Sequence, residues 1–163
     1  MPLQPFASMY QHLLVPTDHS ELSLQAAGEA VRLAAAIGAQ ISFFYAVHTP
    51  TILNYIVEAS PDIDTNPSLM TTAEIRERMQ ELAEQHLAAL VELAKTGGVA
   101  ATACSEVSEQ PYQAIIRAAE QRQCDLIFMA SHGRRGVGAL VLGSETQKVL
   151  THCAVPVLVW RAG

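Results

Sequence analysis

Apolar residues along this chain fall into two alternating patterns. Short apolar runs bounded by turn residues, at 11–15, 41–47, 99–107, 124–130 and 155–160, predict five strands. Between them the apolar residues recur at steps of three and four, as in helices with one buried face. Ser20 caps the first helix, which presents Leu24, Ala27, Val31, Ala34 and Ile37 and stops at Gly38. A capping box at 71–74 opens the second, with Ile75, Met79, Leu82, His86, Leu90 and Leu93 in line, and Gly97-Gly98 closes it. His86 on that stripe reads as a hydrogen-bonded, half-buried histidine rather than a ligand. Pro111 starts the third helix, with Ala114, Ile115, Ala118 and Ala119 inward. Ser144 caps the fourth, with Gln147 three residues on as a capping box requires, and it ends near His152.

Strands alternating with helices predict an α/β fold: a five-stranded parallel sheet with helices on both faces. Ligands of such sheets lie at the carboxyl ends of the strands, where the strand order reverses. Asp18, His48 and His132 each follow a strand directly and so belong to that edge. Pro156 lacks an N–H for a ladder, which places the last strand outermost. Residues 1–9 read as a loose lead-in. Residues 49–70, with Pro50, Pro61 and Pro67, form the longest stretch without a period, as a lid or binding loop does. No internal repeat is present, and 163 residues are expected to make one domain, 1–163.

Composition narrows the partners. The net charge of −6 and a single adjacent basic pair, Arg134-Arg135, argue against nucleic acid, so any affinity for phosphate is local. Cys104, Cys124 and Cys153 are odd in number and lack C-x-x-C spacing, which indicates neither a disulfide framework nor a zinc motif. No signal-peptide pattern opens the chain and no apolar run reaches the roughly 18 residues of a membrane span. The expectation is a cytoplasmic protein with no membrane contact.

The strongest chemical signal follows the fourth strand. That run empties into a loop with Gly133, Gly136, Gly138 and Gly143, and a helix starts at once. Strand, glycine loop and helix start is the general build of a phosphate site, because the first-turn amides of the helix have no partner of their own. It is not a P-loop: the only lysines are Lys95 and Lys148, and neither follows a loop glycine. From the stretch alone an ordinary βα loop is the alternative. No nucleophile with an adjacent base is legible. Asp18, His19, His48 and His132 would suit a metal-dependent hydrolase if they converged, but they lack a spacing signature.

Val15-Pro16-Thr17-Asp18 after the first strand, Val47 ending the second, Met129-Ala130-Ser131-His132-Gly133, and Gly143-Ser144 before a Val-Pro-Val-Leu-Val strand together resemble the universal stress protein family. The resemblance runs in order through nearly the whole chain. It implies strand order 3-2-1-4-5 in a Rossmann-like, adenine nucleotide alpha hydrolase-like sheet. It also implies a homodimer, for which the 155–160 strand is the natural interface, and an ATP (or ADP or AMP) site with Mg2+ through a Gly-x-x-Gly-x9-Gly-Ser/Thr loop. By position Pro16, Thr17 and Asp18 would lie by the ribose and the phosphate or metal, with Asp18 the metal ligand. Val47 and Met129 would line the adenine pocket. His132, Gly133 and Gly143, with Ser144 and the amides of Glu145 and Thr146, would meet the phosphates, and Arg134 would supply counter-charge. The loop's first glycine is replaced by Ala130, harmless at negative φ and strained at positive φ. The resemblance thus implies a nucleotide-binding regulatory module of the stress response with at most slow ATP hydrolysis. The alternative is a ligand-free dimeric interaction protein of the same family.

Overall fold

The structure is a computed structural model that describes residues 9–48, 72–132 and 142–162. The 1–8 lead-in, the 49–71 connection and the glycine loop 133–141 lie outside the described residues. In chain order the elements are β1 (His12–Pro16), α1 (Glu21–Ile37), β2 (Gln40–Val47), α2 (Thr72–Thr96), β3 (Ala101–Val107), α3 (Pro111–Gln121), β4 (Leu126–Ala130), α4 (Ser144–His152) and β5 (Val157–Trp160).

The five strands form one sheet in the order β3-β2-β1-β4-β5, with every pair parallel. Alternation along each strand decides which face a residue buries. Leu13, Val15, Ile41, Phe43, Val47, Leu126 and Phe128 pack with α1 and α2 on one face. Leu14, Phe44, Ile127 and Met129 pack with α3 and α4 on the other. Two-sided burial is why the central strands read as continuous apolar runs.

The helix signals locate the elements and miss some details. Ser20 is the N-cap of α1, accepting from the amide of Ser23 at 3.2 Å, and Gly38 closes the helix in the left-handed region at φ 73°. Leu24 and Ile37 are only half-buried, since Ala26, Ala27, Ala30, Val31 and Ala34 form the tightest contact with the sheet. On α2 the buried line is Met79, Ala83, Leu87, Leu90 and Ala94, while Leu93 is 45% exposed. A 3.6-residue period carries the stripe away from position 93 by the last turn. Pro156 precedes β5 rather than lying within it, and its carbonyl accepts from the Ile127 amide at 2.9 Å. Among the described residues no helix is long and apolar enough to cross a membrane.

Ser144 is not the cap of α4. Gly143 holds that place in extended geometry, with its amide donating to the Ser131 carbonyl at 2.8 Å, so Ser144 is already the first helical residue. The Gln147 side chain turns back to donate to the Leu142 carbonyl at 2.9 Å instead of closing a capping box.

Candidate functional site

β1 and β4 are neighbours, and the chain leaves β1 towards β2 but β4 towards β5, so the connections after these two strands run to opposite edges of the sheet. A cleft of about 690 Å³ opens there. It is lined by Pro16, Thr17 and Asp18 after β1, by Val47 at the end of β2, by Met129, Ala130 and His132 from β4, and by Gly143, Ser144, Glu145 and Thr146 at the start of α4. Of the candidate site residues, Gly133 and Arg134 lie outside the described residues, as do Arg135, Gly136 and Gly138 of the same loop.

The β1 end is tied before any ligand is considered. The Thr17 amide donates to the Phe44 carbonyl at 2.9 Å, extending the ladder by one residue. Ser23 donates its hydroxyl to the Ser20 carbonyl at 2.9 Å, which leaves the buried Thr17 hydroxyl to donate to Ser23 Oγ at 3.0 Å. Asp18 Oδ1 accepts from the Ser20 amide at 3.0 Å, so this carboxylate supports the turn into α1 while Ser20 itself caps the helix. Val47 is buried, and its carbonyl accepts from the Ser108 amide at 3.0 Å.

At the β4 end Ala130 stays in the strand. Among the described residues the non-glycines with positive φ are His19 and Gln123, so the alanine replacing the family's glycine carries no backbone strain. Its carbonyl accepts from the buried Thr146 hydroxyl at 3.2 Å, which pins the first turn of α4 to the strand end. The Ser131 hydroxyl and His132 Nδ1 lie 3.1 Å apart. Gly143 is demanded by contact: a Cβ there would stand 3.0 Å from His132 Cα. In this way α4 begins flush against the strand end with the amides of Ser144, Glu145 and Thr146 at the cleft, and helical geometry gives those amides no carbonyl partner.

Glu145 has a second role that spacing does not show. Its carboxylate accepts from the Tyr112 amide at 2.8 Å and from Lys148 Nζ at 2.9 Å, joining the N-termini of α3 and α4. The side chain of the α3 cap residue, Gln110, makes no capping bond, so Glu145 does that work from another helix. The hydrogen bond and charge of Glu145 raise the Lys148 pKa, and Lys148 Nζ sits 5.3 Å from the Tyr112 ring centre.

Several lining residues were not anticipated. Glu109, Gln110 and Pro111 follow β3 and reach the cleft by the same rule that flags Asp18 and His132. Lys148 lies one turn beyond Ser144, and Met79 enters from α2 with no local sequence signal. His48 lines the cleft with Nε2 3.1 Å from the Glu109 carbonyl. His19 instead stacks on His86. Among the described residues no three His, Cys, Asp or Glu side chains form a group able to hold a metal, so the Asp18, His19, His48 and His132 hydrolase gains no support.

The cleft pairs an apolar flank, from Ala46, Val47, Ile115 and Met129, with a polar end at the start of α4. Its size suits a mononucleotide or a similar ligand. Its described charges are Asp18, Glu109 and Glu145 against Lys148, and the last two neutralise each other. A polyanion would therefore enter more readily with a bound divalent cation.

Comparison with known proteins agrees with this architecture. The model of the universal stress protein family matches residues 9–161. Universal stress protein MJ0531 of Methanocaldococcus jannaschii is 30% identical over 153 residues, covering 93% of this chain and 82% of its own. The solved structure of MJ0577 superposes with a TM-score of 0.74 at 23% identity, over 95% of this chain and 98% of that one. Two further structures share the fold: a universal stress protein in complex with cAMP (TM-score 0.61, 22% identity, 94% and 98% covered) and one from Archaeoglobus fulgidus in complex with dAMP (TM-score 0.60, 15% identity, 93% and 98% covered).

Proposed function

The chain belongs to the universal stress protein family, and from that premise we propose that it is an adenine-nucleotide-binding regulatory module that acts as a homodimer. The observation that carries this reading is the cleft at the sheet's switch point, lined together by Asp18, Val47, Met129 and the first turn of α4. Val47 and Met129 would flank the base, and the amides of Ser144, Glu145 and Thr146 would receive phosphate beside His132 and the glycine loop. Asp18 would hold Mg2+, whose charge offsets the acidity of the cleft. The cAMP and dAMP complexes of structural neighbours support adenine nucleotides as the ligand class. The ligand-free alternative drew on Ala130, which carries no strain of the kind a positive φ would bring.

Denaturing the purified protein and identifying released nucleotide by chromatography tests the reading directly. ATP with Mg2+ at a hundred times its Kd adds about 2.7 kcal/mol, a rise in Tm of roughly 5 to 10 °C for a domain of this size. No released nucleotide, with no shift from ATP, ADP or AMP at millimolar concentration, would leave the ligand-free dimer.

A further inference from the structure

We infer that His86 on α2, which does not itself line the cleft, is a positioning residue for Asp18; the inference rests on the nucleotide reading above. His19, between Asp18 and the cap of α1, has φ 62°, a left-handed conformation that side chains other than glycine rarely adopt. Two bonds flank it, and the second depends on it. The His19 amide donates to Thr17 Oγ1 at 3.1 Å, and the next amide, that of Ser20, donates to Asp18 Oδ1 at 3.0 Å. Rotating His19 about φ out of this region turns the Ser20 amide away from Asp18 Oδ1 and removes that hold on the carboxylate.

What lies over His19 is the ring of His86. The two imidazoles are stacked, with centroids 3.3 Å apart and planes 3° from parallel. His86 sits in the interior of α2, which also packs on β2 and β3 and sends Met79 into the cleft. The stack therefore fastens the strained turn to a helix anchored on a different part of the sheet. Its role follows: α2 holds Asp18 in the orientation that a nucleotide or its metal meets, and His86 is the point of attachment. The helical stripe accounts for the half-burial of His86 but not for a second imidazole lying flat against it.

The experiment compares wild type, His86→Ala and His86→Phe by ATP titration calorimetry with Mg2+ and by amide hydrogen exchange. In His86→Ala the competent turn should be populated about a tenth as often, so ATP should bind about tenfold more weakly. Exchange should quicken at the His19 and Ser20 amides while the core amides of Leu14 and Val15 stay protected. His86→Phe, which keeps a flat ring, should restore both affinity and protection. Unchanged exchange at His19 and Ser20, a quickening shared equally by Leu14 and Val15, or a phenylalanine variant no better than alanine would overturn the inference. If wild type itself binds no nucleotide, the functional reading falls, and the exchange arm still decides whether His86 positions the turn.

Discussion

At the scale of single residues, two small positions lining the cleft, Ala130 and Gly143, make opposite demands. Ala130 is buried in ordinary strand geometry, so Ala130→Gly should leave ATP affinity unchanged and cost about 1 kcal/mol through a freer unfolded chain and a lost methyl. Calorimetry and thermal melts separate the two effects, and tighter binding would show that the methyl obstructs the ligand. Gly143 is the reverse case. Because its missing Cβ would press on His132 Cα, Gly143→Ala should push His132 and the α4 start apart and shrink the ATP-induced rise in Tm. An undiminished rise would take this junction out of the site. Away from the cleft, His12 bonds Ser42 Oγ at 2.9 Å. Burial, chiefly, lowers its pKa; the Asp125 charge pulls it up, the Arg122 charge pushes it down and a hydrogen bond with the Arg122 backbone pulls it up. The unfolded chain takes up that proton near pH 6.5 and the folded protein only below it, so the unfolded state binds more protons in that window. Stability should fall as pH drops from about 7, and His12→Gln should flatten the slope of Tm against pH; an unaltered slope would mean other groups set it. Burial also pushes the Cys124 thiol up to about 12, which keeps it from acting as a thiolate at neutral pH.

At the scale of elements, strand and helix positions were legible because burial imposes a period that the sequence repeats. The placements of Asp18, His48 and His132 at the cleft followed from their strand ends, and those of Val47 and Met129 from the family resemblance. What escaped depended on contacts between distant segments. Nothing near Glu145 reveals that its carboxylate caps α3 at Tyr112, and nothing near His86 reveals the ring of His19. The cap of α4 was misplaced by one residue because Gly143 is selected by the nearness of His132, which local propensity does not contain. The Glu145 bridge is testable apart from nucleotide. Glu145→Gln keeps an acceptor for the Tyr112 amide and loses only a partly exposed ion pair, whereas Glu145→Ala removes both. The alanine variant should lose about 1 kcal/mol, as a removed helix cap does, and the glutamine variant much less, because an exposed ion pair is screened by solvent. Equal losses in urea melts would mean that the charge, not the cap, carries the bridge.

For the molecule as a whole, β5 is one of the two edge strands of the sheet, β3 being the other, and it is the one flanked by exposed leucines. It pairs with β4 along one side, and among the described residues no strand lies along its other side. Leu158 on the strand is 37% exposed and Leu150 on neighbouring α4 is 43% exposed. An edge of open backbone groups beside exposed leucines invites pairing with another chain, and a two-fold axis lets the same strand serve both partners. This supports the homodimer through 155–160 proposed above. The structure also chooses the better variant to test it. Val157 packs towards the apolar cluster under α3 and α4, so Val157→Asp would injure the subunit itself. Leu158, exposed in the lone subunit, can become lysine at little cost to folding. In a two-fold strand pair that lysine would bury its charge at the interface or face its own copy. Sedimentation equilibrium should therefore find wild type dimeric at micromolar concentration and Leu158→Lys monomeric, with thermal melts confirming that the variant remains folded. A monomeric wild type, or a folded lysine variant that stays fully dimeric, would show that the subunits meet elsewhere.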